Sequence, residues 1–306
     1  MNRMLGALAL TLLLVSFAPY LHAQWWIFEL PGHFRPHMAV AAAAIGLLTA
    51  LRKLPLVLAT SLVVFTHSAV LLLSVPAEPL TQSPTVTLVS QNLYRGNDRF
   101  DRFAGLLGQE DPDIVVLQEY TPEWHAALSE MAKRYQARIT VPQVGAFGIA
   151  MFSKLPITHY EIIRLDDVAI PFIVAQFDAP RFSAQLIAVH FASPVKRESH
   201  YVRAGQIEMI KTYLQDLDMP YVLIGDFNNT PASQSMRNLT GDAGAHPATP
   251  HWLPTWPSPL GWAGIPIDFA VGSSDVRFGN LERLPEIGSD HRGIRVSVAI
   301  ENQTNP

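Results

Sequence analysis

After Val86 the chain repeats one pattern, an apolar run of strand length that ends in a carboxylate, an amide or an imidazole. It closes in this way at Ser90-Gln91-Asn92, Leu117-Gln118-Glu119, Val189-His190, Ile224-Gly225-Asp226-Phe227-Asn228 and Gly288-Ser289-Asp290-His291. Ile267-Asp268-Phe269 opens a further run with the same kind of residue. A carboxylate at the end of a buried strand is costly unless it is paired or coordinates a cation. One such end reads as a turn or a cap, whereas six in one domain are hard to explain by chance.

The apolar runs predict strands at 86–93, 114–118, 148–152, 173–177, 184–190, 222–225, 268–271 and 294–299. Helical spacing predicts helices at 99–107, 123–133 and 200–217, the last with Val202, Ile207, Ile210 and Leu214 as a core-packing stripe. Many strands with few helices between them imply an α+β sandwich, two sheets with helices outside. His200, His246 and His251 have no motif around them and read as surface or loop residues.

Residue type suggests the chemistry. Hard oxygens from Glu119, Asn92 and Asp290 suit Mg²⁺, with Mn²⁺ as the alternative, since such a cation prefers one or two carboxylates plus waters and substrate phosphate oxygens. A carboxylate and a histidine then remain for acid–base work and for positioning water. The chain has no cysteine, which excludes disulfides, thiolate zinc sites and a cysteine nucleophile. It also lacks a Gly-x-Ser-x-Gly turn and a Gly-rich phosphate loop, so attack by water is the simplest mechanism.

Gln-Asn, Gln-Glu, Gly-Asp-Phe-Asn, Ile-Asp and Ser-Asp-His, in that order between Val86 and Ala299, resemble the signature of the endonuclease/exonuclease/phosphatase superfamily. The resemblance implies a four-layer α/β sandwich and a metal-dependent hydrolase of phosphoric esters. It casts Glu119 as the principal Mg²⁺ ligand with Asn92 beside it, and Asp290 in or next to the metal site. Asp226 would orient or deprotonate the attacking water, and Asn228 would hold a phosphate oxygen. His291, buttressed by Asp268, would contact the scissile phosphate, and His190 matches a strand-end histidine that does so in some members. Two positions depart from the pattern. Phe269 stands where many members carry His, Tyr or Trp, and Tyr94 stands where some nucleases carry a second acid, which favours one metal ion.

The first quarter of the chain has a different character. Met4–Tyr20 is uncharged, Met38–Leu51 is apolar but short, and Leu54–Val75 holds His67 as its one ionisable side chain. These runs predict a membrane anchor of two to three helices over 1–76, a linker over 77–85, the catalytic domain over 86–300 and a tail over 301–306. A cleaved signal peptide ending near Ala23 is the other reading of the first run, although Leu21 fits a cleavage site poorly. Arg3 and Arg52-Lys53 both lie inside if all three segments cross, which places the catalytic domain outside the inner membrane. If Met38–Leu51 does not cross, the domain faces the cytoplasm.

Charge and aromatic residues bear on the substrate. Of 22 basic and 26 acidic residues, four and one lie before Pro76, which leaves 18 and 25, a net of −7, for the remainder. Nucleic-acid binders usually show a basic surplus, so nucleic acid is the less favoured partner. Trp252, Trp256 and Trp262 come directly before Asp268, either as a rigid loop packing on the sandwich or as an apolar rim facing the bilayer. Thr-Trp-Pro followed by Ile-Asp looks like the membrane-anchored bacterial branch, some of whose members are thought to act on polyprenyl pyrophosphates. The expectation is therefore a lipid-linked phosphate substrate at the bilayer, with an extracytoplasmic nuclease as the alternative.

Overall fold

A computed structural model of the chain describes residues 2–21, 25–73, 86–165, 168–248 and 252–301. The linker expected at 77–85, the end of the span expected to reach Val75, His251 and the tail after Glu301 lie outside the described residues. The chain divides into two compact units, Met1–Pro76 with Thr230–Arg237, and Ala77–Asn229 with Asn238–Pro306.

The first unit holds three helices, α1 (Asn2–Phe17), α2 (Arg35–Leu51) and α3 (Pro55–Leu73). α2 is longer than its apolar run because Pro36 occupies the first turn, where its missing N–H costs nothing. With the 3₁₀ turns of Trp26–Phe34 it forms a helical run of 26 residues, Trp26–Leu51, which joins the 20-residue Asn2–Leu21 in being long and apolar enough to cross a membrane. Pro55–Ala69 is a shorter apolar helix. Met38, Ala42 and Val64 are buried between these helices, with Leu12 and Leu13 packed against them. Small side chains at Ala39, Ala42 and Gly46 line the buried side of α2 and permit close backbone approach. Leu8, Leu10, Leu14, Leu47, Leu56 and Leu62 remain exposed on the outward faces.

In the second unit β1 (Val86–Asn92) leads through α4 (Phe100–Glu110) to β2 (Ile114–Gln118). Two short helices, α5 (Pro122–Ala127) and α6 (Ser129–Ala132), precede β3 (Ala137–Val141) and β4 (Ile149–Ser153). Then come β5 (Ile157–Ile163), β6 (Phe172–Ala179), β7 (Phe182–His190), α7 (Arg197–Gln215) and β8 (Tyr221–Asp226). α8 (Gln234–Asp242), of which 234–237 belong to the first unit, β9 (His246–Pro247), β10 (Asp268–Gly272), β11 (Val276–Phe278), β12 (Glu282–Arg283) and β13 (Ile294–Ile300) complete the order.

These strands form two mixed sheets flanked by helices, the expected α+β sandwich. One sheet runs β11-β13-β1-β2-β4-β3 with β12 on β13, and the other runs β5-β6-β7-β8-β10-β9. β1 and β2 are parallel, as are β7 and β8, while the other pairings are antiparallel. Between the sheets lie Val86, Leu88, Ile114, Val116, Ala184, Leu186, Val222, Ile224 and Ala270. Residues one step out of phase, Val89, Val115 and Leu117, point the other way and pack on Phe103, Leu107 and Trp124. The period of two thus gives each strand two apolar faces, one to the facing sheet and one to a helix.

On α7, Ile207, Ile210 and Leu214 are buried as expected, and so are the polar His200, Arg203 and Gln206. His200 is therefore not a surface residue. His246 sits half-buried in β9, with Nε2 3.0 Å from the Val276 carbonyl oxygen.

Candidate active site

The inward phase of each central strand is apolar along its length and turns polar at the end that faces the site. Val86 and Leu88 are followed in phase by Ser90 and Asn92, and Ala184, Leu186 and Ala188 by His190. Val222 and Ile224 lead to Asp226, and on β10 Asp268 precedes Ala270. Register sets these ends side by side. Asn92 pairs with Gln118, His190 with Asp226, and Asp226 with Asp268. The two sheets meet at the same place, where Asn92 Nδ2 donates to Asp226 Oδ2 at 3.0 Å and to Glu119 Oε1 at 3.4 Å.

Close approach dictates Gly225. Its φ is +150°, and a Cβ there would lie 2.0 Å from the Val189 carbonyl oxygen on the neighbouring strand. Glu119 and Asn228 take left-handed backbone conformations, φ +53° and +45°, which non-glycine residues rarely adopt. Each is held by hydrogen bonds. The Arg95 N–H donates to Glu119 Oε2 at 2.8 Å, and the Asn228 N–H donates to Asp226 Oδ1 at 2.7 Å.

His291 Nδ1 lies 2.9 Å from Asp268 Oδ2, and its Nε2 is 3.8 Å from Asp226 Oδ2, the oxygen that His190 Nε2 approaches at 3.5 Å. All four side chains are buried. Burial opposes a charged His291, but Asp268 and Asp226 outweigh it and raise its pKa, so the ring keeps its second proton through neutrality. Burial is also the largest influence on Asp226 and raises it; Asp268 adds to the rise, while His291 and the N–H of Asn228 oppose it. His190 is pushed down to about 3 by burial and by the positive charge of His291, against the carbonyl of Ala146, and stays neutral. Glu119 is raised by burial, with Asp290 adding to the effect and the bonds from Arg95 and Asn92 opposing it.

Among the described residues the tightest group of potential metal-ligand atoms is Asp226, Asp268 and His291, all within 4.8 Å of one another. Glu119, Asn92 and Asp290 are brought to the same region, but through different partners. Asp290 Oδ2 accepts the Trp256 indole N–H at 3.2 Å. Asp290 Oδ1 and Asp268 Oδ1 are buried and accept no hydrogen bond among the described residues. Orphaned buried carboxylate oxygens at Asp290 and Asp268 are the donor chemistry a hard divalent cation takes, so the residues fit such an ion. Asn228 Nδ2 faces the Phe191 carbonyl at 3.0 Å and Asp226 Oδ2 at 3.3 Å, so here the amide supports Asp226.

Several residues to which the sequence motifs assign no role of their own support the site. Ser289 Oγ donates to the Asn92 carbonyl at 2.8 Å and accepts the His291 N–H at 3.0 Å. Thr255 Oγ1 accepts the N–H groups of Ile267 and Asp268, and Arg203 Nη1 donates to the Asn228 carbonyl at 2.7 Å. Trp256 belongs to the site itself, its ring 6.4 Å from that of His291. Trp262 is 66% exposed under the Arg283 guanidinium, beside exposed Leu260. The Phe269 ring stacks on Phe227 at 4.1 Å, on the face opposite Asp268, so that position presents no side chain to the site. Tyr94 fixes Asn92 through its backbone N–H, 3.0 Å from Oδ1, while its side chain is exposed.

Residues 89–291 match the sequence pattern of the Endonuclease/Exonuclease/phosphatase family. Protein angel of Drosophila melanogaster is 29% identical over 44% of this chain, which spans 44% of that relative's length. Similar folds include humanized D. rerio TDP2, at TM-score 0.60 and 20% identity over 71% of this chain and 99% of that one. Another is an endonuclease/exonuclease/phosphatase of Beutenbergia cavernae, at TM-score 0.58 and 18% identity over 71% and 72%. D. rerio TDP2 complexed with single strand DNA product has TM-score 0.59 and 18% identity over 70% and 98%.

Proposed function

The chain belongs to the endonuclease/exonuclease/phosphatase family of metal-dependent hydrolases, and from that premise we propose a membrane-anchored, Mg²⁺-dependent phosphoesterase of its bacterial membrane branch that cleaves a lipid-linked phosphate such as a polyprenyl pyrophosphate. The observation that carries the hydrolytic reading is the junction of the two sheets, where Asn92, Glu119, Asp226, Asp268 and His291 form one bonded network.

Glu119, Asn92 and Asp290 are the residues that would hold Mg²⁺, or Mn²⁺ in its place, as a single ion. When bound, the cation neutralises charge developing on phosphoryl oxygens. Asp226, fixed by Asn92 and by the N–H of Asn228, orients the attacking water and takes its proton, a task suited to a carboxylate whose affinity for protons is raised. His291 carries its positive charge on a ring locked by Asp268 and faces a phosphoryl oxygen with Nε2. His190 remains a neutral donor beside Asp226. Asn228 reaches a phosphate oxygen when its amide leaves the Phe191 carbonyl.

Three features support a lipid-linked substrate at the bilayer. Helices α1 and α2 lie in runs long and apolar enough to cross, their outward leucines are exposed, and the sequence after Pro76 carries a net charge of −7. With three crossings, Arg3 and Arg52-Lys53 on the cytoplasmic side support a catalytic domain outside the inner membrane. A nuclease is the rival reading, favoured by the relative of similar fold that holds a single-strand DNA product. A Mg²⁺-dependent phosphate-release screen of the purified chain decides between them, comparing polyprenyl pyrophosphate, phospholipids, sphingomyelin, inositol phosphates and duplex DNA. Turnover of polyprenyl pyrophosphate without DNA cleavage supports the proposal, and the opposite result gives the function to the nuclease. A periplasm-dependent reporter fused after Pro306 should be active, and silence there rejects the orientation.

A further inference from the structure

Arg35 opens α2 and is 0% exposed, yet its Nε, Nη1 and Nη2 have no hydrogen-bond partner among the described residues. A guanidinium presents five donors and stays charged at any physiological pH, so a buried one without an acceptor is a group fitted to bind an anion. Its surroundings within the first unit add positive charge. The Arg237 guanidinium acts on Arg35 as a like charge, and both act on His67. His67 Nε2 lies 2.9 Å from the Tyr20 hydroxyl, and its Nδ1 is buried without a hydrogen bond among the described residues. Glu29, the one acid before Pro76, accepts the Ser235 hydroxyl.

Chain order places these groups at one end of the bundle. α1 arrives there at Tyr20, α2 departs from Arg35, and the antiparallel α3 brings His67 back, while Arg52 and Lys53 mark the far end. The Phe17 ring stacks on His67 at 4.4 Å, and exposed Leu14, Leu62 and Phe65 continue away along the apolar helix faces. A planar cationic fork at the end of a bundle with an apolar flank is the arrangement for a phosphorylated headgroup whose tail lies along the helices.

We propose that Arg35, with Arg237, His67 and Tyr20 around it, binds the phosphate or pyrophosphate headgroup of a membrane-borne amphiphile, which on the function proposed above is the substrate. The guanidinium takes two phosphate oxygens, and the Tyr20 and His67 donors take others.

The test uses the full chain carrying Glu119→Gln, in detergent with EDTA, so that neither turnover nor metal-bridged phosphate contributes. Titration calorimetry compares farnesyl pyrophosphate, inorganic pyrophosphate and phosphatidylglycerol, with Arg35→Met and Arg35→Lys made in the same background. Farnesyl pyrophosphate should bind, tenfold or more weakly in Arg35→Met and less weakened in Arg35→Lys. Inorganic pyrophosphate should show the same dependence on Arg35, and phosphatidylglycerol should bind far more weakly than either. The ligand-free melting temperature of Arg35→Met should not fall, because the variant removes an unpaired buried charge. Equal affinity in the parent and Arg35→Met overturns the proposal. So does preference for phosphatidylglycerol, which makes Arg35 an anchor for bulk lipid, and so does a lower ligand-free melting temperature in both variants, which makes it structural. Lipid pyrophosphate hydrolysis with an unchanged KM in Arg35→Met removes this site and leaves the proposed function intact. Arg35-dependent pyrophosphate binding in a chain that hydrolyses no lipid phosphate does the reverse.

Discussion

Replacing Asp268 by Asn keeps the size of the side chain but removes the charge that faces His291 Nδ1 at 2.9 Å. Both partners are buried, so water cannot take over the interaction. A hydrogen bond to a charged partner contributes about 1.5–3 kcal/mol, and each 1.36 kcal/mol is about tenfold in rate. Asp268→Asn should therefore lower kcat/KM by roughly 10–150-fold, through a His291 that is less often protonated and less firmly oriented. The pH profile should move with a definite sign. Asp268 raises the pKa of both His291 and Asp226. Without it, His291 gives up its proton at lower pH, so the alkaline limb moves to the acid side. Asp226 also ionises at lower pH, so the acid limb moves the same way. Initial rates on a soluble phosphoester from pH 5 to 10, with saturating Mg²⁺, measure both limbs. A folded variant with kcat/KM within threefold of the parent and an unmoved profile would refute the assigned role of the pair.

Glu119→Gln should reduce Mg²⁺-dependent turnover about 100-fold or more while leaving the melting temperature near that of the parent, on the scale of a lost electrostatic contact. EDTA should abolish activity in the parent, with recovery on adding Mg²⁺ or Mn²⁺, and retained turnover in the variant removes Glu119 from the site. Gly225→Ala should destabilise the second unit by about 3 kcal/mol or more, since its Cβ would meet backbone at 2.0 Å where no rotamer change relieves the clash; an unchanged denaturation midpoint contradicts that packing. Trp256→Phe removes the indole N–H from Asp290 while keeping a ring, and should lower turnover of every substrate by about tenfold on the scale of a hydrogen bond to a charged group. Trp262→Ala should weaken lipid substrates alone, and equal losses on a soluble phosphoester would exclude a bilayer role for that exposed ring.

How legible each part was depended on how local its cause is. The buried strands β1, β2, β4, β6, β7, β8, β10 and β13 stand out in the sequence because both of their faces are covered and they read as largely apolar runs. β3 and β5 lie at sheet edges, where β5 exposes Thr158, His159 and Tyr160, so they carried no such run. α8 lies in a polar stretch without a clear stripe, and His200 reads as a surface residue because the buried face of α7 is partly polar. The site residues were visible one by one, as polar side chains closing apolar runs. Their pairing was not, because which strands neighbour each other depends on crossovers that lie between distant segments. Only the parallel registers of β1 with β2 and β7 with β8, and the stacking of two sheets, bring Asn92 to Asp226 and leave Asp226 between His190 and Asp268. The same holds for Trp256 on Asp290, Ser289 on Asn92 and the burial of Arg35. The apolar first quarter, the alternation of strands and the identity of the polar ends follow from the order of residues alone, because hydrophobic period and residue chemistry are local properties. The proton affinities of Asp226 and His291, and the contacts that hold their side chains in place, were decided only by tertiary structure, because burial and charge proximity exist only once the sheets have packed.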